Sequence, residues 1–376
     1  MRSQGDRRPA PRVVLAHDYL TQRGGAERVV LELARQFPSA PVLTSFYEPS
    51  GTFPGFAEVD VRPSRLSRLR VLRADPRRAF PLLAPMFSMR SAPRDVLLAS
   101  SSGWAHGLRS SGAKVVYCHN PARWLYQPDD YFAGFPRPVR VVLSRMLAPL
   151  RAWDRRAARS ANTYLANSSS VAERIQDVYG IAARVVHPPS GLHPSEPREP
   201  VAGVEPGFLL TVGRRRGYKN NALVCEAAEL SGRRLVVVGG LPERAKPWPE
   251  HILGVRDISD GALRWLYANC SAVVAMGHED FGLTPIEGFV FGKPCIALRA
   301  GGYLDSCDEE ITGPLVDAAT APQLAAVLAA FDERDFDAAR IRAHATRFSP
   351  EAFGDQVLAA LEEVAGVSLG HERASR

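Results

Sequence analysis

Short apolar runs alternate along this chain with glycine-bearing turns and with segments that repeat apolar residues at helical spacing. Residues 13–16 form an uninterrupted apolar run, a loop with Gly24 and Gly25 follows, and apolar positions at i, i+3 and i+4 continue from residue 26 to residue 37. Residues 41–46, which include Val42, Leu43 and Phe46, are predicted to form the next strand. This order predicts a strand, a glycine loop, a helix and a second strand, which indicates a parallel α/β sheet.

The same order recurs in the second half of the chain. Residues 188–206 are rich in proline, glutamate and glycine, which predicts a linker, and the apolar run at 208–212 opens another α/β unit. The last segment carries an amphipathic helical pattern, whose apolar face needs a partner. The predicted organisation is a first α/β domain over 1–188, a linker over 189–206, a second α/β domain over 207–348, and a C-terminal helix over 349–376 that packs back on the first domain.

Composition supports two domains and shows that they differ in charge. The chain has 376 residues, of which 45% are hydrophobic and 23% are charged, as is typical of a soluble globular protein. Residues 1–190 contain 28 lysines and arginines against 14 acidic residues, whereas residues 191–376 contain 19 against 26. The basic half indicates an anionic partner, such as nucleic acid, lipid phosphate or a membrane surface.

Much of the positive charge lies in residues 62–94, which contain nine arginines and one acidic residue, Asp75. The arginines of 65–73 do not segregate from the leucines on a helical projection, so the pattern does not predict an amphipathic membrane helix. A solvated basic surface and a lipid-facing patch both stay open. Nucleic-acid binding is not favoured, because no aromatic residue is interleaved with the cations over 62–78.

The cysteines and the apolar runs indicate in which cellular compartment the protein is expected. Five scattered cysteines include no C-x-x-C pair, and the sequence has no run of 18 apolar residues. The apolar run near the N-terminus is too short for a signal peptide. We therefore expect a cytoplasmic protein, with peripheral contact at the inner membrane face as a further possibility.

Two carboxylates, Glu279 and Glu287, lie eight positions apart around a glycine turn and the start of a predicted helix. Thr284 is the expected N-cap, Pro285 the first helical residue and Glu287 the third. Backbone N–H groups would then point between the carboxylates, which suits a ligand with phosphates and hydroxyls. Alternatively, Thr284 and Glu287 form a capping box, which needs no ligand.

Three further places could carry chemistry. His119 follows the predicted strand 114–118, at the edge where open α/β sheets bind ligands, although a structural loop histidine is the alternative. Arg214 and Lys219 lie in a glycine turn before a predicted helix and could grip a diphosphate, although surface cations are common. The Gly24 and Gly25 turn allows a ligand or another backbone segment to approach closely. We interpret the D-x-D of Asp335 and Asp337 as a solvated face.

Together these motifs resemble the retaining, nucleotide-sugar-dependent glycosyltransferases of the GT-B fold, specifically family 4, over nearly the whole chain. The most specific carrier is the run from Glu279 to Glu287 with Phe281 and Gly282 inside it. The loop Gly24-Gly25-Ala26-Glu27-Arg28 is most similar to bacterial mannosyl- and hexosyltransferases of polysaccharide or glycolipid pathways. The other carriers are Tyr117-Cys118-His119-Asn120-Pro121, Asn167-Ser168, Gly213-Arg214 with Lys219, Leu266-Tyr267, Gly292-Lys293-Pro294 and Gly301-Gly302.

The resemblance implies two Rossmann-like domains with an interdomain cleft, and it implies roles for the site residues. Arg214 and Lys219 would hold the donor diphosphate, Glu279 the donor sugar and Glu287 the ribose. Because two cations can neutralise the departing diphosphate, neither a metal nor a cofactor is expected. Further donor contacts are implied for His119, near the sugar, for Gly24 and Gly25, and for the backbone amides of Phe281, Gly282, Leu283 and Thr284.

The predicted function is retaining transfer of a hexose, mannose from GDP-mannose, to a glycan, glycolipid or small-molecule acceptor. Family members retain anomeric configuration by front-face attack in which the leaving phosphate assists, so no protein general base is expected. One alternative keeps the GT-B fold but is a nucleotide-sugar epimerase. An alternative of another class is a non-catalytic binder of anionic surfaces or nucleic acid.

Overall fold

The computed structural model describes residues 12–92, 96–128, 137–213 and 220–369 of the chain. Contacts divide the chain into two units. Unit 1 comprises Met1–Val186 together with Phe353–Arg376, and unit 2 comprises His187–Ala352. The residues expected to form a linker, 189–206, therefore belong to unit 2, where Leu192 is buried in the core.

Unit 1 is built on a seven-stranded sheet in which every neighbouring pair is parallel. Its strand order is β3-β2-β1-β5-β7-β8-β9, so the chain leaves β1 in one direction and returns at β5 on its other side. The carboxyl ends of all seven strands share one edge. The strands are β1 Val13–His17, β2 Val42–Thr44, β3 Val61–Pro63, β5 Val96–Ser101, β7 Lys114–Cys118, β8 Thr163–Ala166 and β9 Ala183–Val185, and a separate pair joins β4 Ser91–Ala92 to β6 Arg109–Ser110.

Helices of unit 1 cover both faces of this sheet, because its strands are apolar on both sides. Successive residues of β5 show this: Leu97 and Ala99 belong to one buried cluster, whereas Val96 and Leu98 belong to another. The helices are α1 Gly25–Gln36, α2 Arg70–Ala74, α3 Phe80–Ser88, α4 Arg123–Tyr126, α5 Arg137–Ala158 and α6 Ser169–Tyr179.

The last helix of the chain, α13 Pro350–Ala365, contributes its apolar side to the core of unit 1. Phe353, Val357 and Leu361 are buried there, and the ring of Phe353 meets the ring of Tyr117 edge-on at 5.5 Å. Among the described residues, no helix combines the length and the apolar composition needed to cross a bilayer.

Unit 2 repeats this architecture with six parallel strands in the order β12-β11-β10-β13-β14-β15. The topological switch lies between β10 and β13. The strands are β10 Phe208–Val212, β11 Leu235–Val238, β12 Ile252–Val255, β13 Cys270–Ala275, β14 Cys295–Leu298 and β15 Leu315–Val316. The helices are α7 Asn221–Ser231, α8 Asp260–Asn269, α9 Leu283–Phe289, α10 Tyr303–Ser306, α11 Ala321–Ala330 and α12 Ala338–Ala345. The predicted pair of Rossmann-like α/β domains is confirmed.

Candidate active site

Buried polar side chains collect at the carboxyl ends of three neighbouring strands of unit 1. His17 ends β1, Ser100 lies at the end of β5, and His119 follows β7 directly. All three are buried. Because β1 and β5 flank the topological switch, this is the place where an open parallel sheet is expected to bind a ligand.

Hydrogen bonds join these residues into one cluster. Ser100 Oγ lies 2.7 Å from Nε2 of His119, and Nδ1 of His17 lies 3.1 Å from the carbonyl oxygen of Ser100. Glu27 lies in the first turn of α1, and its Oε1 is 3.9 Å from Nε2 of His17. The same oxygen accepts a hydrogen bond from the side-chain amide of Gln22 at 2.9 Å. Since a carbonyl only accepts, Nδ1 of His17 carries a proton. The Ser100 hydroxyl therefore donates its hydrogen bond to Nε2 of His119. Nε2 carries no proton in this arrangement, so the N–H of the neutral His119 ring is at Nδ1.

The pKa values of the two histidines are shifted in opposite directions. Burial lowers the pKa of His119 to about 3, with a further contribution from the charge of His17. Burial also acts to lower the pKa of His17, but the hydrogen bond and charge of Glu27 and the charge of Asp18 outweigh it, so that this pKa is raised. At neutral pH His119 is therefore a neutral imidazole, which can donate a hydrogen bond without adding positive charge.

The Gly24 and Gly25 turn leads directly into this cluster. Gly24 is the N-cap of α1 with an extended backbone, φ −126° and ψ 175°, and Gly25 is the first helical residue. No side chain caps the helix. Glu27 in the same turn contacts His17. The structure thus places Gly24, Gly25 and His119 at one edge of unit 1. The contact of Glu27 with His17 connects the glycine turn to the histidine cluster.

In unit 2, the helix of the Glu279–Glu287 stretch begins earlier than the sequence predicted. Helix α9 starts at Leu283, with Gly282 as the N-cap, and no side chain caps it. Gly282 has φ +85°, and a side chain there would overlap the ring of Tyr303, so only glycine fits this entry into the helix. The predictions that Thr284 is the N-cap and that Glu287 is the third helical residue are wrong.

Glu287 is held by a tyrosine. The hydroxyl of Tyr267, on α8, donates to Oε2 of Glu287 at 2.7 Å. Both residues are buried, and burial, followed by the charge of Glu287, raises the pKa of Tyr267 well above its usual value. The tyrosine therefore remains a donor, and the proposed capping box of Thr284 and Glu287 is not needed to explain this carboxylate.

Glu279 sits in a turn that a neighbouring glycine loop supports. The N–H of Gly302 donates to the carbonyl oxygen of Glu279 at 3.1 Å. A side chain at Gly302 would overlap the backbone of Phe281, so the loop can approach this closely only with glycine. The ring of Phe281 is buried between His187, at 5.4 Å, and Phe348, at 5.9 Å. Any ligand contact of Phe281 is therefore left to its backbone.

Arg214 and Lys219 lie outside the described residues, but both flanks of their segment are described. Gly213 follows β10 and donates its N–H to Val238 at 3.1 Å. Asn220 is the N-cap of α7, and its side-chain amide donates to the carbonyl oxygen of Met276 at 2.8 Å. Because Met276 follows β13 by one residue, Asn220 lies beside the strand that leads to Glu279.

The described candidates thus form two groups. Glu279, Phe281, Gly282, Leu283, Thr284 and Glu287 lie together in unit 2, whereas Gly24, Gly25 and His119 lie together in unit 1. Sequence reasoning missed the supporting residues Ser100, His17 and Tyr267, although Tyr267 belongs to the motif that carries the resemblance. Within the described ranges, no three His, Cys, Asp or Glu side chains are grouped so that they could hold a metal ion.

Comparison with known proteins matches both halves of the chain to glycosyltransferase family models. Residues 23–195 match the model for Glycosyltransferase Family 4, and residues 194–348 match the model for Glycosyl transferases group 1. The human alpha-1,3/1,6-mannosyltransferase ALG2 is 26% identical over 93% of this chain and 95% of its own. The D-inositol 3-phosphate glycosyltransferase of Geodermatophilus obscurus is 30% identical over 55% of each chain.

Solved structures share the fold. The crystal structure of HepE from Anabaena in complex with UDP aligns with a TM-score of 0.65 over 94% of this chain and 100% of its own, at 16% sequence identity. Such a likeness at low sequence identity shows the fold alone. The UDP belongs to that protein.

Proposed function

Because this chain belongs to the family 4 type of GT-B-fold glycosyltransferases and is a nucleotide-sugar-dependent hexosyltransferase, we propose that it transfers mannose from GDP-mannose with retention of configuration. Mannose is favoured by the similarity to ALG2, whose name states mannosyl transfer, over nearly the full length of both chains. The proposed acceptor is an anionic glycan or glycolipid, in keeping with the basic first half of the sequence.

The observation that carries the proposal is the pair of carboxylates after β13. Glu287 is oriented by the buried hydroxyl of Tyr267 at 2.7 Å, and the turn of Glu279 is supported by Gly302. A carboxylate held in one orientation is suited to accept hydrogen bonds from paired hydroxyls. We assign the ribose hydroxyls to Glu287 and the hydroxyls of the donor sugar to Glu279, with backbone amides of Phe281 to Thr284 reaching the sugar and phosphate.

In the proposed reaction the acceptor oxygen bonds to the anomeric carbon on the face from which the diphosphate leaves. The bond between that carbon and the phosphate oxygen breaks, and the phosphate takes the proton of the acceptor hydroxyl. Arg214 and Lys219 are proposed to neutralise the departing diphosphate, which is an electrostatic role. Neither a protein general base nor a metal is required by this scheme.

We assign His119 to the donor sugar. Positive charge develops on the sugar ring as the leaving group departs, so an imidazolium there would oppose the reaction. Burial keeps the pKa of His119 at about 3, and the imidazole is neutral when the reaction occurs. With Nε2 turned to Ser100, Nδ1–H is the group that could donate to a sugar hydroxyl.

We further propose that unit 1 makes peripheral contact with an anionic membrane. Leu69 and Val71 are 53% and 59% exposed, and they alternate with the exposed Arg68 and Arg70. Exposed apolar side chains next to cations suit the interface of an anionic bilayer, where the side chains bury area and the arginines meet lipid phosphates. This contact would bring the enzyme to a lipid-linked acceptor.

The donor is tested by thermal shift with GDP, UDP, ADP and their sugars, because a ligand that binds only the folded state stabilises it by about 2.7 kcal/mol at a hundred times its Kd. We expect GDP and GDP-mannose to raise the melting temperature, and Glu287→Gln to reduce the rise. Glu250→Gln is the matched control, since Glu250 is an exposed carboxylate of the same unit.

Stabilisation by UDP or ADP compounds alone would show that the proposed base is wrong. No stabilisation by any nucleotide would contradict donor binding as a whole. The stereochemistry is checked by NMR of the first product formed from GDP-α-mannose, where an α-linked product is expected and a β-linked product would contradict retention.

A further inference from the structure

Unit 1 contains a cavity outside the histidine cluster that the proposed mechanism does not use. It has a volume of about 410 Å³ and lies after the carboxyl ends of β2 and β3. This volume is within the range of pockets that hold small ligands. The lining residues are Tyr47, Pro49, Pro63, Ser64, Arg65, Ser67, Arg68 and Arg73.

The lining carries an excess of two positive charges. Arg73 is neutralised by Glu48, whose Oε2 lies 2.7 Å from its Nε, and this hydrogen bond lowers the pKa of Glu48. Arg65 and Arg68 are exposed, and across the described parts of the chain no carboxylate forms an ion pair with either. Two unpaired guanidinium groups balance the charge of a phosphate dianion. Each guanidinium group can also donate two parallel hydrogen bonds to phosphate oxygens.

Hydrogen bonds hold the cavity wall in place. The N–H of Tyr47 donates to Oγ of Ser67 at 3.1 Å, and Nη1 of Arg73 donates to the carbonyl oxygen of Ser67 at 3.1 Å. Arg90 ties the two strand ends together, since it donates to the carbonyl oxygens of Thr44 at 2.8 Å and Arg62 at 3.0 Å. A preformed site loses less entropy when it binds a ligand.

The cavity lies on the same edge of the sheet as the candidate active site. Strand β2 is the neighbour of β1, which ends in His17. After both strands end, Leu20 still pairs with the Tyr47 segment: its N–H donates to Phe46 at 2.8 Å and it accepts from Glu48 at 2.9 Å. Adjacent strands are about 4.8 Å apart, so the ends of β3, β2 and β1 span about 10 Å along this edge of the sheet.

We propose that this cavity binds the phosphate group of the acceptor through Arg65 and Arg68, an inference that rests on the proposed transferase function. Tyr47, Pro49 and Pro63 supply an apolar side against which the adjoining sugar or chain would pack. The phosphate would fix the acceptor at one end while its hydroxyl reaches the donor sugar. The chemistry is the same whether the phosphate belongs to a lipid carrier or to a soluble acceptor.

The test is titration calorimetry with inorganic phosphate, on protein saturated with the nucleoside diphosphate that binds best, so that the donor site is occupied. We expect the double variant Arg65→Gln with Arg68→Gln to bind phosphate at least tenfold more weakly than the wild type. Arg62→Gln is the matched control, because it removes the same charge next to Pro63 from a residue outside the lining, and it should bind like the wild type. Melting curves of all variants check folding.

Two further arms distinguish the source of the phosphate. Vesicles of phosphatidylcholine with and without phosphatidic acid are compared for the wild type and the double variant. Loss of phosphatidic-acid binding in the double variant, beyond that in the control, would support a lipid phosphate, whereas loss of inorganic phosphate binding alone would support a soluble acceptor. Unchanged phosphate affinity in the double variant would overturn the proposal. Donor hydrolysis by the wild type, without acceptor, tests the transferase function separately.

Discussion

The hydroxyl of Ser100 lies 2.7 Å from Nε2 of His119, and this contact leaves only Nδ1 of the histidine for a ligand. Ser100 also takes part in the contact with His17, so it is the link between the two histidines. The orientation of His119 is thus determined by a serine on a neighbouring strand.

Ser100→Ala should lower kcat for transfer from GDP-mannose roughly tenfold, since a lost hydrogen bond in a buried site costs about 1–3 kcal/mol. Affinity for the free nucleoside diphosphate, measured by calorimetry, should stay close to the wild-type value, because His119 is assigned to the sugar. Ser102→Ala is the control, at a partly buried serine two residues along the chain. Equal losses in kcat and in diphosphate affinity would indicate a general structural role for Ser100.

His119 should make the protein sensitive to acid. Its pKa is about 3 in the folded protein and about 6.5 when unfolded, so below pH 6.5 the unfolded state binds a proton that the folded state does not. This contribution to stability is complete above pH 6.5 and is lost as the pH falls toward 3, at about 1.4 kcal/mol per pH unit. His17, whose pKa is raised, contributes with the opposite sign.

The measurement is the free energy of unfolding in urea between pH 6.5 and pH 4 for wild type and His119→Gln. We expect the variant to lose stability less steeply with falling pH. Parallel curves would show that His119 takes up its proton over the same pH range in the folded and the unfolded protein, against a lowered pKa in the folded protein. Because the comparison is one of slopes, any constant loss of stability in the variant does not affect it.

Tyr267→Phe should weaken donor binding by roughly tenfold, because a hydrogen bond to a charged group contributes about 1.5–3 kcal/mol and Glu287 would lose its orientation. Tyr126→Phe is the chemically matched control. The Tyr126 hydroxyl donates to buried Asp154 at 2.8 Å in unit 1, whereas Tyr267 and Glu287 lie in unit 2. Calorimetry with the nucleoside diphosphate is expected to show the loss only for Tyr267→Phe, and equal losses in both variants would contradict it.

Glu279→Gln and Glu287→Gln should impair different kinetic properties of the enzyme. Glu287 is assigned to the ribose, so its change should mainly raise the donor KM. Glu279 is assigned to the sugar where positive charge develops, so its change should lower kcat more than diphosphate affinity. Steady-state kinetics and calorimetry on both variants test this. If Glu279→Gln lost diphosphate affinity but kept kcat, the two roles would be reversed.

The exposed apolar pair of unit 1 predicts membrane binding that depends on charge. Wild-type protein should sediment with vesicles containing anionic lipid at low salt and less at high salt, because salt screens exposed charges. Leu69→Ser with Val71→Ser should reduce sedimentation, whereas Leu230→Ser, at a leucine 62% exposed in unit 2, should not. Absence of wild-type binding at low salt would leave a soluble acceptor as the better interpretation.

The sequence by itself determined the two α/β halves, because the period of apolar residues and the position of glycine turns are local properties of a chain. It also singled out Glu279, Glu287, Gly24, Gly25 and His119 as candidates, since motif spacing can be read without coordinates. The start of helix α9 was misplaced by two residues. Thr284 and Pro285 have strong intrinsic preferences for the N-cap and the first helical position. Gly282, with φ +85°, nevertheless allows the helix to begin at Leu283.

Only the tertiary structure decided which side chains support the site. Ser100 and His119 are 19 residues apart, and Tyr267 and Glu287 are 20 residues apart, so no local period connects them. Strand order brings the first pair together, and the packing of α8 beside α9 brings the second. The arginine cavity likewise needs β2 and β3 side by side, because a row of arginines in sequence does not show which are paired with carboxylates and which face a cavity.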